Sequence, residues 1–305
     1  MKLLKSGKIA KQIKEQIFDK VSMLAVHHFI PQLRILWIGD DSSSEWFINS
    51  KIKLAKKLGI AVDVKRFSDN VLERDVENVI YEFNRDSQIN GILISLPLPP
   101  TFDKVSQKRL LNRINPYKDV DCVTWKNRGR LFTNRPSVVL PATIQSCMIL
   151  AESVEDISEK NVVFIGTGNV GAPLYSAMIN KYPTFESISI CNKYTKNLKE
   201  ETKRANLIFS AVGKPHLING DMISPNTIII DAGITKVGFI NVDGKVKNKY
   251  VGDVDIDSLN DVECTVTPTP GGVGTLTTTM IMNNLMNTQS TLDKITYHLG
   301  RRGGL

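Results

Sequence analysis

The sequence predicts an α/β protein of two domains, and three observations carry that expectation. Short apolar runs alternate with segments of helical period along most of the chain, the pattern of βαβ units around mostly parallel sheets. The 305 residues are enough for two domains of ordinary size, each with its own core. A second series of strands and helices starts afresh near Asn161, just before a glycine-rich turn.

Ile9, Ile13, Ile17 and Val21 recur every four residues and mark an amphipathic first helix. Leu33 to Ile38 is a short apolar strand ending in a turn at Gly39-Asp40-Asp41. Ser42 to Leu58 returns to helical spacing, with Ile48, Ile52, Ala55 and Leu58 on or near one face. Ala61 to Phe67 reads as a strand, Val71 to Phe83 as a helix, and Gly91 to Leu96 as a buried strand closed by Pro97-Leu98-Pro99-Pro100. In the second series Val162 to Ile165 is a strand, Gly166 to Gly171 a turn, and Pro173 to Ile179 a helix. Strands follow at Ser187 to Cys191, Leu207 to Ala211 and Thr227 to Asp231, and Leu276 to Leu285 reads as a late helix. The boundary is expected between Pro141 and Glu159.

Composition narrows the function classes. Hydrophobic content of 42% and charged content of 23% are those of a globular protein. No run of about 18 apolar residues is present, so a membrane span is not expected. The basic N-terminus, Met1 to Lys8, lacks the apolar core of a secretion signal. Cys122, Cys147, Cys191 and Cys264 are scattered without a Cys-x-x-Cys pair, which fits a reducing, cytoplasmic setting rather than a metal site or a disulfide framework. His27-His28 is a lone doublet, read as a helix-end pair. The net charge of +8 comes from Lys and Arg residues spread along the chain. That argues against nucleic acid and for a phosphate-bearing cofactor or a polycarboxylate substrate.

Gly166-Thr167-Gly168-Asn169-Val170-Gly171 matches Gly-x-Gly-x-x-Gly after a strand and before a helix. The first glycine makes the tight turn, the second lets a pyrophosphate approach, and the third allows close helix packing. The second half is therefore read as a Rossmann-like dinucleotide-binding domain. The next strand ends Cys191-Asn192-Lys193-Tyr194-Thr195-Lys196, without an acid to bind a ribose 2′-hydroxyl. Lys193 and Thr195 would receive a 2′-phosphate instead, so NADP is expected in preference to NAD. A solvated basic loop is the other reading.

Thr267-Pro268-Thr269-Pro270-Gly271-Gly272-Val273-Gly274 is a second glycine-rich segment. Its prolines fix φ at alternate positions, and Gly271 and Gly272 let the backbone approach a neighbour closely. It lies at the start of the late helix, where free amides suit an anionic or carbonyl ligand. Phe47 and Lys51 are four apart on one helix face. A lysine in a partly apolar cleft can move protons, although spacing alone favours Lys51 as a solvated neighbour of Lys53, Lys56 and Lys57.

The proline–glycine run closely resembles Pro-Val-Pro-Gly-Gly-Val-Gly-Pro-Met-Thr, the signature of the methylenetetrahydrofolate dehydrogenase/cyclohydrolase family. Ser44, Lys51, Lys53, Gly59 and Ile60 fit that family's Ser-x-x-Tyr-x-x-x-Lys-x-Lys and following Gly-Ile, with Phe47 at the tyrosine. Gly91 to Pro99 fits Gly-Ile-Leu-Val-Gln-Leu-Pro-Leu-Pro, with Ser95 at the glutamine. Pro116, Lys118, Asp119, Val120 and Asp121 fit Pro-x-Lys-Asp-Val-Asp-Gly, with Cys122 at the glycine. Pro141 and Thr143 fit Pro-Cys-Thr-Pro, and Gly252 to Asp255 fits a late Gly-Asp-Val-Asp. The cofactor loop resembles Gly-x-Ser-x-x-Val-Gly-x-Pro, one residue shorter here, with Ala172 where an arginine is usual.

The resemblance implies a folate-binding catalytic domain over 1–145, completed by a C-terminal helix over 275–305, and a nucleotide-binding domain over 146–274, with a cleft between them. It implies Lys51 and Asp121 as catalytic residues, helped by whatever stands at 47 and 95. Phe47, Lys51, Leu96, Pro97, Asp121, Pro270, Gly271 and Gly272 would contact the folate. Gly166, Thr167, Gly168, Asn169, Val170, Asn192, Lys193, Thr195, Ala211, Val212, Gly213, Gly233, Ile234 and Thr277 would hold NADP. A homodimer is implied as well. Phe47 keeps a ring to stack but lacks the hydroxyl, and Ser95 is too short to reach where glutamine would. Losing one orienting group in a proton relay typically costs ~100-fold or more, whereas hydride transfer needs the reactants held face to face. The expectation is a dehydrogenase with its cyclohydrolase step weakened or lost. A fully bifunctional enzyme, a non-catalytic folate-binding paralogue and an enzyme of a modified folate are the alternatives.

Overall fold

A computed structural model describes residues 1–39, 42–133, 139–242 and 245–300. The chain forms two compact units, one of Met1–Ala10 with Thr143–Thr277, the other of Lys11–Ala142 with the chain from Thr278 on. The first half runs β1 (Lys2–Leu3), α1 (Gly7–Val26), β2 (Gln32–Ile38), α2 (Ser42–Lys57), β3 (Ala61–Phe67), α3 (Glu73–Arg85), β4 (Gly91–Ile94), α4 (Lys104–Leu111) and α5 (Trp125–Phe132). The second runs α6 (Ala142–Glu152), β5 (Asn161–Ile165), α7 (Gly171–Lys181), β6 (Ser187–Cys191), α8 (Leu198–Lys203), β7 (Leu207–Ser210) and β8 (Thr227–Asp231). It closes with β9 (Thr235–Val242), β10 (Lys245–Val251), β11 (Cys264–Val266), α9 (Val273–Asn287) and α10 (Gln289–Gly300).

The unit built on Lys11–Ala142 holds a parallel sheet in the order β3-β2-β4. β2 lies between two strands, and Leu33, Ile35 and Leu36 are fully buried, which is why it reads as a continuous apolar run rather than an alternating one. Leu36, Ile38, Ile92 and Ile94 pack with Val76 and Ile80 of α3. Gly91 has no room for a side chain: a Cβ there would lie 2.5 Å from both Leu285 Cδ1 and Val120 Cγ1. The later turns of α9 therefore close on the start of β4. Asn284 fixes them, its amide donating to the carbonyls of Val120 at 2.9 Å and Leu140 at 2.8 Å.

The other unit holds a six-stranded sheet, β1-β11-β8-β7-β5-β6, parallel throughout. The chain passes from β5 to β6 on one side and then to β7 on the other. That reversal opens a crevice at the carboxyl ends of β5 and β7, where open α/β sheets bind ligands. Val163, Ile165, Ile208, Ile229 and Val266 form the centre of its core.

Four features differ from the sequence reading. Lys2–Leu3 pairs with Thr265–Val266 as an edge strand, so the first ten residues join the second unit. α4 and α5 went unread, the single helix expected over 275–305 is two, α9 and α10, and α6 occupies the stretch read as a boundary. β9 and β10 form an antiparallel pair outside the βαβ scheme; Asp243-Gly244 between two alternating runs was its available signal, and those two residues lie outside the described ones. So do Asp40 and Asp41 of the expected turn, together with the side chain of Ser44. His27-His28 directly follows α1, with His28 at φ 58°.

Candidate active site

In the unit built on Lys11–Ala142 the candidate site begins on α2. Ile48, Ala55 and Leu58 are buried and fix the helix face. Lys51 sits three residues after Ile48 and four before Ala55, so it emerges at the edge of the apolar stripe, half-buried rather than free in solvent. Its ammonium donates to the Phe47 carbonyl at 3.4 Å and lies 5.8 Å from the centre of the Phe47 ring.

Asp121 is brought in by a loop whose two preceding residues are scaffold. Ile92 donates its amide to the Lys118 carbonyl at 2.7 Å, and Asp119 bridges to Ile92 in parallel register. The Lys118 ammonium closes the end of α3 by donating to the carbonyls of Phe83, Asn84 and Asp86 at 2.6–2.9 Å. Buried Asp119 accepts from the amides of Val123 and Thr124, the Thr124 hydroxyl and the Asn127 amide group, all within 3.1 Å. Lys118-Asp119 thus folds the loop, and Asp121 is left pointing at the site. Cys122, where the family pattern has glycine, stands at φ 53°, a left-handed conformation that a side chain disfavours.

Asp121 Oδ1 accepts from the Ala142 amide at 3.2 Å. Burial pushes its carboxyl up to about 6, Asp119 pushes the same way, and Lys51 and Arg128 pull it back. Burial likewise lowers the Lys51 ammonium, opposed by the charge of Asp121. The two groups are shifted toward each other, so moving a proton between a lysine and a carboxyl costs less here than in water. Arg128 was not anticipated from sequence. Its Nε donates to the Cys122 carbonyl at 3.3 Å, which sets a second cation beside Asp121.

Ser95 continues the pairing of β4, its amide donating to the Leu36 carbonyl at 2.8 Å. It is half-buried, and Leu96 and Pro97 after it are exposed, at the carboxyl end of the sheet.

In the second unit most of the predicted cofactor residues follow the carboxyl ends of parallel strands: Gly166–Val170 follows β5, Asn192–Thr195 follows β6, Ala211–Gly213 follows β7 and Gly233–Ile234 follows β8. Pro270–Gly272, expected at the folate, follows β11. Thr277 stands apart on α9, its hydroxyl donating to the Val273 carbonyl at 2.9 Å. Gly166 has φ 108°, and a Cβ there would lie 2.5 Å from the Ala211 carbonyl oxygen. A Cβ at Gly171 would run into the Gly166 carbonyl oxygen. Gly168 differs, since its Cβ would meet nothing within 4 Å. The fold does not need glycine there, and an approaching pyrophosphate does. Val212 and Ile234, 44% and 46% exposed, present apolar surface at the same strand ends, as a ring-bearing ligand requires. The residues fit a dinucleotide. Asn192, Lys193 and Thr195 form a tight turn in which the Asn192 amide donates to the Thr195 hydroxyl at 3.0 Å, and the exposed Lys193 ammonium lies 4.8 Å from the centre of the Tyr194 ring.

Ser6 is a second residue that the sequence reading passed over. Fully buried, its hydroxyl bridges the carbonyls of Gly271 at 3.1 Å and Gly272 at 2.8 Å. It therefore ties the proline–glycine turn to the N-terminal strand.

A glycine loop at the switch point of a parallel sheet in one unit, and a half-buried lysine–aspartate pair in the other, define a two-domain α/β enzyme with a Rossmann-like nucleotide-binding unit. Residues 4–121 match the catalytic domain of the tetrahydrofolate dehydrogenase/cyclohydrolases and residues 141–292 match their NAD(P)-binding domain. The chain belongs to that family. It is 37% identical over 288 residues to the bifunctional protein FolD of Fusobacterium nucleatum, covering 93% of this chain and 96% of that one. The solved bifunctional enzyme FolD of Campylobacter jejuni superposes with a TM-score of 0.84 at 30% identity, covering 96% and 99% of the two chains. The Trypanosoma brucei dehydrogenase-cyclohydrolase, solved with NADP and an inhibitor, gives 0.86 at 26% identity, covering 96% and 98%.

Proposed function

We propose that this protein oxidises methylenetetrahydrofolate with NADP and hydrolyses the methenyl product weakly or not at all. Phe47 stacks on the pterin, Asp121 orients it, and Lys51, Leu96, Pro97, Pro270, Gly271 and Gly272 are the further folate contacts that the family resemblance implies. The glycine loop and the strand-end loops after β6, β7 and β8, with Thr277, hold the dinucleotide, and Lys193 and Thr195 face its 2′-phosphate. When bound, the nicotinamide supplies the acceptor for the hydride. This oxidation asks the protein for alignment rather than an acid or base at the transferred hydrogen, so the residues present suffice for it.

Hydrolysis asks for more. Lys51 must move protons, and the observation that carries this reading is that Lys51 and Asp121 persist as a half-buried pair while the phenol and amide beside them are replaced by Phe47 and Ser95. The test is Phe47→Tyr with Ser95→Gln. Hydrolysis of methenyltetrahydrofolate should rise ~10-fold or more while NADP reduction stays within about threefold. Equal effects on both activities would refute the assignment.

Full bifunctionality is the second reading. The bifunctional name of the relatives favours it, and so does Arg128, a cation beside Asp121 that offers hydrogen-bond donors where the phenol and amide are gone. Robust hydrolysis by the unaltered protein that falls in Arg128→Met would establish it. A cytoplasmic homodimer is part of the same proposal, carried by the family resemblance, and the four buried, unbridged cysteines suit a reducing compartment.

A further inference from the structure

The nucleotide-binding unit buries two carboxyl groups that the proposed chemistry does not use. Asp231 ends β8, and Asp253 lies two residues beyond the end of β10. They are 2% and 0% exposed. Each is wired to a strand-end loop. Asp253 Oδ2 accepts from the Ser210 hydroxyl at 2.7 Å and the Val212 amide at 2.8 Å, and Oδ1 accepts from the Lys214 amide at 2.8 Å. Asp231 accepts from the amides of Gly233 at 2.8 Å and Val254 at 2.9 Å. The glycines beside them make the room: a Cβ on Gly233 would collide with the Asp253 carboxyl, and one on Gly252 with Asp231 Oδ2.

We propose that Asp253 is a positioning residue for the dinucleotide, its buried carboxylate setting the backbone of Val212–Lys214 after β7 and, through contact with Gly233, the loop after β8. The inference rests on the reading of those two loops as cofactor contacts. Three donors converge on this one carboxylate, two of them amides two residues apart, so it fixes the backbone between them. The neighbouring Asp231 carboxyl is pushed up to about 7, chiefly by burial, with the charge of Asp253 adding to the shift, and the Cys147 thiol of α6 lies within reach of its charge. The loop after β7 is held at its Val212 and Lys214 amides rather than by the exposed side chains of those residues.

The test is Asp253→Asn in the full chain. The asparagine amide keeps one acceptor oxygen and turns a donor toward a backbone amide donor, so at least one of the bonds that hold the loop is lost. The Kd for NADP should rise roughly 10- to 100-fold. In the unliganded protein the Val212 and Lys214 amides should exchange with solvent ~10-fold faster or more while those of β5 and β8 keep their protection. Turnover at saturating NADP should stay within about twofold, placing the loss on KM. If Asp253→Asn does not fold, Ser210→Ala removes one donor and leaves both amides bound; there the Kd should rise roughly fivefold. Unchanged NADP affinity in the variant that folds, with the unaltered protein binding NADP, overturns the proposal alone. An unaltered protein that does not bind NADP overturns the dinucleotide reading beneath it.

Discussion

Lys51 and Asp121 show how one position acquires chemistry from its surroundings. A lysine among Lys53, Lys56 and Lys57 is ordinary until the buried row of Ile48 and Ala55 draws it out of water and Asp121 is set against it. The same reasoning applies to Lys193, whose exposed ammonium is expected to matter only to a cofactor bearing a 2′-phosphate. Lys193→Glu should weaken NADP roughly 10-fold or more and change NAD less than about threefold. Parallel losses by calorimetric titration would remove Lys193 from the ribose. Sequence made these residues legible because their motifs are ordered along the chain. Arg128 and Ser6 stayed hidden, and Asp253 was legible only as part of a Gly-Asp-Val-Asp match with no role attached. The physical reason is that each acts on a backbone group that sequence does not point to: Arg128 on a carbonyl six residues away, Ser6 on carbonyls 265 and 266 residues away, Asp253 on an amide 41 residues away.

At the scale of elements, the glycine loop separates folding from binding. Gly171 must lack a side chain because the Gly166 carbonyl occupies the space, whereas Gly168 faces none. Gly171→Ala is therefore expected to cost on the order of 1–3 kcal/mol in denaturant unfolding, as a forced backbone shift does. Gly168→Ala should leave the unfolding midpoint unchanged and still weaken NADP binding. Equal stability losses in the two variants would mean that Gly168 serves the fold instead. The alternation of strands and helices was readable because buried parallel strands are continuous apolar runs, as β2, β5 and β8 are. The β9–β10 pair was not, since an antiparallel ribbon breaks the βαβ rhythm and leaves Phe239 and Val246 exposed. α4 and α5 are eight residues each, too short for periodicity to separate from loop; their Asp103 and Thr124 caps were the signal to read.

Across the whole molecule, two carboxyls have their affinity for a proton raised by burial. Asp231 is raised to about 7 and Asp121 to about 6. A carboxyl whose affinity for its proton is higher folded than unfolded stabilises the fold at acid pH and loses that contribution as pH rises through the folded value. Each therefore lowers stability with a slope of up to ~1.4 kcal/mol per pH unit as pH rises from the ordinary carboxyl range, about 4, toward its folded value, about 6 for Asp121 and about 7 for Asp231. Glu73, held low by its bond to Arg109, opposes the trend only at the acid end. Lys51 is shifted the other way, and its contribution has the opposite sign. Thermal unfolding midpoints should fall from pH 5 to pH 7 and level off above, and Asp231→Asn should flatten the profile. A midpoint that rises over this range would show that the carboxyls are ionised and paid for elsewhere in the fold.

The proposed division of labour, oxidation kept and the hydrolysis that follows it weakened, can be read in one time course. The unaltered protein is mixed with methylenetetrahydrofolate and NADP, and NADPH, methenyltetrahydrofolate and formyltetrahydrofolate are quantified together, with the enzyme-free hydrolysis rate subtracted. The account predicts that methenyltetrahydrofolate accumulates nearly one-for-one with NADPH. Formyltetrahydrofolate rising in step with NADPH, with no methenyl accumulation, would contradict it.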